Sequence, residues 1–224
     1  MTNIKTRLAA SLAALLLPCL LAGCGILGGT KEAPTVYSPD PAVVPDPAWP
    51  AVTWQLSTSL PTAPRMLDSA RIAVSPVPGE FEVYKGALWA RVPTEMVQDT
   101  LLRTLEDSGK IPAVARQGSG IGADYRLVLD LRHFEASYDA AGSAGGGAPS
   151  AVIEVSAKLL HAPDQAVVGS RSFRHVQPAS GSGVALVADA FSQALGATSR
   201  EMAGWVLATG QAHERRHPTG KPKP

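Results

Sequence analysis

Near the C-terminus, His213-Glu214-Arg215-Arg216-His217 sets two imidazoles four residues apart around a glutamate. On a helix that spacing stacks both rings on one face, where they can hold a zinc ion while the glutamate serves as general base. The surroundings argue against that chemistry. Pro218 follows at once, seven residues remain after His217, and no third ligand lies downstream. No apolar stripe ties the segment to a core, so it reads as a charged tail with at most weak metal affinity, and no metal ligand is assigned. Gly118-Ser119-Gly120-Ile121-Gly122 imitates a phosphate-cradling loop. It lacks the full glycine spacing and leads into a strand pattern, whereas a phosphate site needs a helix N-terminus there. His133, His161 and His175 lie on or beside strand patterns with no common spacing, and read as surface or pairing residues. No G-x-S-x-G or comparable nucleophile setting occurs. The residues point to no enzyme and no cofactor.

Cys24 offers a different chemistry. Lys5 and Arg7 precede an apolar run from Leu8 to Leu21, and Leu21-Ala22-Gly23-Cys24 closes it. A basic start, an apolar middle and small residues before a cleavage point are the parts of a secretory signal peptide. The run is interrupted by Pro18 and is shorter than the ~20 residues of a spanning helix. A cysteine directly after the small residues resembles the bacterial lipobox. That resemblance implies that the Cys24 thiol takes a diacylglyceryl group, that cleavage follows Gly23, and that the new Cys24 amine is acylated. Residues 1–23 are then the signal and residues 24–50 a lipid anchor with a linker.

Composition fits this reading. Cleavage after Gly23 would leave 201 of the 224 residues, about right for one domain with a lead-in. Both cysteines, Cys19 and Cys24, lie in the N-terminal segment, so the mature domain would have no disulfide and depends on its core. The signal carries Lys5 and Arg7 and no acid. Of the 20 basic residues, 18 would remain in the mature chain against 19 acidic ones, a formal charge of −1. No basic patch or aromatic ladder suggests nucleic acid.

Residues 25–50 contain Pro34, Pro39, Pro41, Pro45, Pro47 and Pro50 and read as an extended linker of up to ~60 Å. The folded domain is expected over 51–209. Val52 to Leu56 and Arg71 to Ser75 read as strands, and Gly79 to Ala90 as a hairpin-like segment. Pro93 at a first helical position, Glu95 in the first turn and the spacing of Val97, Leu101 and Leu105 predict a helix that Gly109 caps. Ile111 to Arg116 reads as a short strand. Tyr125, Leu127, Leu129 and Leu131 alternate inward, and a bulge near His133 would bring Phe134 onto the same face. Asp139 to Ser150 is a Gly/Ala/Ser loop. Ile153, Val155, Ala157 and Leu159 form the next inward face, a turn follows at Pro163-Asp164, and Val167 to Val176 is the last strand. From Val184 to Val206 apolar residues recur at helical spacing. Gly196 and Gly204 weaken this helix unless they let it approach the sheet closely. Residues 210–224 read as a polar, disordered tail. The fold class is α/β of the α+β kind: a two-layer sandwich, its sheet mixed or mostly antiparallel, with two helices on one face.

The run from Trp89 to Pro93, the stretch Gln98 to Gly109 ending in Leu105-Glu106-Asp107-Ser108-Gly109, Ala123-Asp124-Tyr125-Arg126-Leu127 and Phe134-Glu135 occur in a fixed order. Ala190 to Leu195 and Trp205 follow on the last helix. Together they resemble the ABC-type transport auxiliary lipoprotein family, the PqiC-like lipoproteins, over roughly Val52 to Val206. The resemblance implies a lipid-anchored, periplasm-facing protein. It would dock on the MCE-domain component of an ABC transporter, with permease and ATPase in the same system, moving lipids or other hydrophobic molecules. It brings no catalytic residues. Gly25 is not the aspartate that retains some lipoproteins at the inner membrane, so outer-membrane placement is expected, and a homo-oligomer is compatible with the reading. Two alternatives stay open: an envelope assembly or secretion lipoprotein without a transporter partner, and a metallopeptidase at His213 and His217.

Overall fold

The computed structural model describes residues 33–140 and 147–217. Gly23 and Cys24, the expected cleavage and lipidation residues, lie outside the described residues, as does half of the Gly/Ala/Ser loop. Eight strands and two helices follow in the order β1 (Thr35–Tyr37), β2 (Leu56–Thr58), β3 (Arg71–Ser75), β4 (Glu82–Trp89), α1 (Pro93–Ser108), β5 (Val114–Arg116), β6 (Tyr125–Ser137), β7 (Ser150–His161), β8 (Val167–Pro178) and α2 (Val184–Arg216). The sheet is mixed. β6, β7 and β8 form an antiparallel meander, while β6 pairs in parallel with β2 at its start and with β3 at its end. β5 continues from β2, and β4 and then β1 continue from β3. One hydrophobic core unites the inner face of the sheet with α1 and α2.

α1 forms as its sequence dictates. Pro93 occupies the first turn with Glu95, and Gly109 ends the helix in the left-handed conformation at φ 61°. Its N–H bonds the Glu106 carbonyl at 3.1 Å. The register of β6 against β7 shifts between Leu131 and His133. That bulge keeps Phe134 buried on the face of Leu127, Leu129 and Leu131. The Glu135 carboxylate, itself buried, accepts the Phe134 N–H at 2.7 Å and meets His133 Nδ1 at 2.6 Å. The Phe-Glu pair is therefore structural: the phenyl ring fills the core and the carboxylate satisfies backbone at the bulge.

Two expectations change. Residues 25–50 are not a linker throughout. β1 pairs with β4, and the Pro-rich stretch after it is strapped over both helices. Asp40 pairs with Arg103 of α1 at 2.6 Å, and Asp46 with Arg200 of α2 at 3.3 Å. Val52 and Trp54, expected on a strand, are buried beside it, with β2 itself starting at Leu56. Proline suits such a strap because its backbone there needs no ladder hydrogen bonds. The second change is α2, which runs through residue 210 to Arg216 where a tail was expected. Its glycines do permit close approach, but to the strap side. A Cβ on Gly196 would sit 3.0 Å from Pro41 Cβ, one on Gly204 would run into the Trp49 indole, and one on Gly210 into the Trp54 ring.

Gly210→Ala is the sharpest test of this packing. Alanine gains about 1 kcal/mol of helix propensity over glycine. Trp54 is only 3% exposed and its ring lies 4.8 Å from that of Tyr125 at a tilt of 59°, which leaves it little room to yield. Overpacking of roughly 1–3 kcal/mol should win. Urea unfolding should give a net loss of stability; an unchanged or raised midpoint would contradict the close approach.

Candidate functional site

The histidines separate into two kinds. His133 pairs with Glu135 and His175 with Glu201 at 2.9 Å, each within its own surface. The glycine run after β5 turns into β6, with Gly118 and Gly120 at φ 87° and 80°, and opens no helix. His161, His213, Glu214 and His217 are brought together. The sequence holds His213, Glu214 and His217 in one motif but reads that motif as a tail and His161 as a surface or pairing residue, which sets His161 apart from it.

The inward series of β7 continues past Leu159 to His161, which lies opposite Tyr125 of β6. Both are buried, His161 at 8% exposure and Tyr125 at 0%. The stripe of α2 continues past Val206 and Gly210 to His213, one turn before the helix ends. The helix end therefore caps the end of the β6–β7 inner face. Ring centroids lie 4.9 Å apart for His161 and His213, 4.9 Å for His213 and His217, and 5.7 Å for Tyr125 and His213.

Tyr125 is the hub. Its hydroxyl oxygen lies 2.7 Å from His213 Nδ1, 3.0 Å from Glu214 Oε1 and 3.4 Å from the Gly210 carbonyl. With the phenol proton donated to Glu214, the His213 Nδ1–H donates to the phenol oxygen. Burial, then the Glu214 hydrogen bond, push the Tyr125 pKa far above the ordinary range, so the phenol stays neutral. His161 Nδ1 lies 3.0 Å from Asp164 Oδ1, and a carboxylate there makes Nδ1 the donor. Asp164 is lowered, first by the Ala166 N–H and then by His161. His161 Nε2 is buried and has no hydrogen-bond partner among the described residues.

His213 has its pKa lowered from 6.5, first by burial, then by His161 and His217; Arg216 acts in the same direction and Glu214 opposes. Tyr125 and Asp164 complete the polar groups around the cluster. The folded chain thus takes up the His213 proton only at lower pH than the unfolded chain. Stability from neutral His213 is complete above pH ~6.5 and declines as pH falls below it. Thermal melts from pH 8 to 5 should show this acid decline, and His213→Gln should flatten it. An equal decline in the variant would place its origin elsewhere.

Other surfaces are plainer. A groove of about 440 Å³ runs past Thr58, Gln98, Asp99 and Arg116. Its Asp99 is paired by both Arg91 and Arg116, which leaves a braced surface with its charge already answered. β8 pairs only with β7, so among the described residues no strand covers its outer edge from Val167 to Pro178.

The motif residues hold this frame. Trp89 packs edge-on to Phe134 and Phe191, while those two rings stack at 4.8 Å. Asp124 Oδ2 accepts the Gln55 N–H at 2.9 Å, and its own N–H returns to the Gln55 carbonyl. The ABC-type transport auxiliary lipoprotein component family matches residues 35–203, from β1 into α2. The chain belongs to this family. A crystal structure of a protein from Xanthomonas campestris is 49% identical, with a TM-score of 0.76 over 81% of this chain and 99% of that one. A further solved structure, of an uncharacterized protein, shares the fold at 16% identity and a TM-score of 0.59, over 78% of this chain and 99% of that one. An uncharacterized protein of Bradyrhizobium diazoefficiens is 28% identical over 161 residues, 72% of this chain and 41% of the relative, so the chain spans about two-fifths of that relative's length. The α+β reading and the family resemblance both hold. The family's role is auxiliary to transport, and its name carries the lipoprotein and the transporter association.

Proposed function

We propose that this protein is a lipid-anchored auxiliary component of an MCE-type ABC transport system that moves lipids or other hydrophobic molecules across the bacterial envelope, and that it acts by docking. The observation that carries the reading is the continuous family match over 35–203. The lipobox-like Leu21-Ala22-Gly23-Cys24 supports anchoring through Cys24, and the glycine at residue 25 supports the outer membrane. Ten residues lie between Cys24 and Thr35. Fully extended they reach at most ~36 Å, so an anchored domain works close to the bilayer surface. The open edge of β8 offers backbone donors and acceptors for an added strand, a common docking mode.

Epistasis tests the proposal. Deleting this gene and deleting the MCE component should give the same envelope permeability defect, and the double deletion should add nothing. Additive defects would favour an assembly or secretion role apart from the transporter.

A further inference from the structure

We propose that His161, His213 and Glu214 bind one divalent transition-metal ion of the zinc class, which clasps the last turn of α2 to the end of β7. Each of these residues offers one ligand atom, and the three atoms lie within 4.8 Å of one another. Zinc bonds of about 2.0–2.2 Å place neighbouring ligands roughly 3.4 Å apart. Closing the set would shorten these separations by at most about 1.4 Å.

The strongest observation is His161. Its Nε2 is buried and unpartnered among the described residues, while its Nδ1 is held by Asp164. An imidazole nitrogen hidden from water without a partner burdens the fold, and a bound ion would relieve it. Metal-binding histidines have their other nitrogen fixed by a carboxylate in just this manner, leaving the Nε2 lone pair for the ion. His213 follows the same logic, with Tyr125 in place of the carboxylate. Two imidazoles and one carboxylate suit zinc and its first-row neighbours; calcium and magnesium prefer all-oxygen sets.

The ligands differ from those of the H-E-x-x-H peptidase pattern. There the two helical histidines bind and the glutamate is the base. Here the second imidazole comes from β7 and Glu214 is itself a ligand, with His217 beyond the trio. The site joins two elements distant in sequence, so its effect is to fasten the end of α2.

The test uses the full lipidated chain, solubilised in detergent and stripped by chelation. Calorimetric titration with zinc chloride, and metal analysis after gel filtration, should give one zinc per chain. His161→Ala and His213→Ala should each abolish this binding, and Asp164→Asn should weaken it about 10–100-fold. His175→Ala should leave it unchanged. Zinc should raise the melting temperature of the parent and not of His161→Ala. Asp164 is exposed, with 61% of its side chain accessible, so its variant keeps the test open if His161→Ala does not fold. Absence of stoichiometric zinc would overturn the site. So would parental affinity in His161→Ala or Asp164→Asn, which would mark an adventitious ion on the His213–His217 pair only.

Discussion

Trp89→Ala is expected to cost about 3–5 kcal/mol of folding stability. Trp89 ends β4 at the point where the sheet meets α2, and only 3% of it is exposed. Its indole meets Phe191 at 5.1 Å and Phe134 at 6.0 Å, both edge-on. Truncation would remove the indole from the core and leave a cavity that two stacked phenyl rings cannot fill without separating. Domains are stable by about 5–15 kcal/mol, so the loss is a large fraction of the whole. At ~2–4 °C per kcal/mol for a domain of this size, the melting temperature should fall by roughly 6–20 °C. Trp89→Phe should recover part of it by keeping an aromatic face toward Phe191. A Trp89→Ala loss below about 1 kcal/mol would mean that the three rings are not the centre of the core.

Cys24→Ser is expected to remove lipid attachment entirely. The hydroxyl cannot form the thioether, and cleavage in the lipoprotein manner depends on the modified cysteine. One acyl chain gives only marginal membrane binding, whereas several make release very slow. No helix among the described residues is long and apolar enough to cross a membrane. Labelled palmitate should enter the parent and not the variant, which should accumulate as a soluble form or an uncleaved precursor. Label retained by the variant, or parental migration and membrane attachment, would refute lipidation at Cys24.

Much of the frame was legible in the sequence because its signals are local. Pro93, Glu95 and Gly109 bracket α1, and the slip of parity at Phe134 announces the bulge. The strap was not legible. Its prolines argue correctly against a central strand, but nothing local says that Pro41 and Trp49 seat against Gly196 and Gly204. The glycines in a long helix were the available hint, since each weakens α2 unless something must approach it closely.

The histidine cluster was hidden for a related reason. The period-two series 153, 155, 157 and 159 points directly to His161, and the α2 stripe points on to His213. A count of apolar residues stops at Leu159 and Val206, because imidazole does not register as core. Charged neighbours and Pro218 then make residues 213–217 resemble a tail. The helix ends at Arg216, one turn after the ring that Tyr125 holds.

Affinity purification of the tagged protein from detergent-solubilised envelope tests the central claim most directly. The account predicts that an MCE-domain protein co-elutes with its permease and ATPase at constant proportion. Recovery of the intact, lipidated protein without any of the three would contradict it.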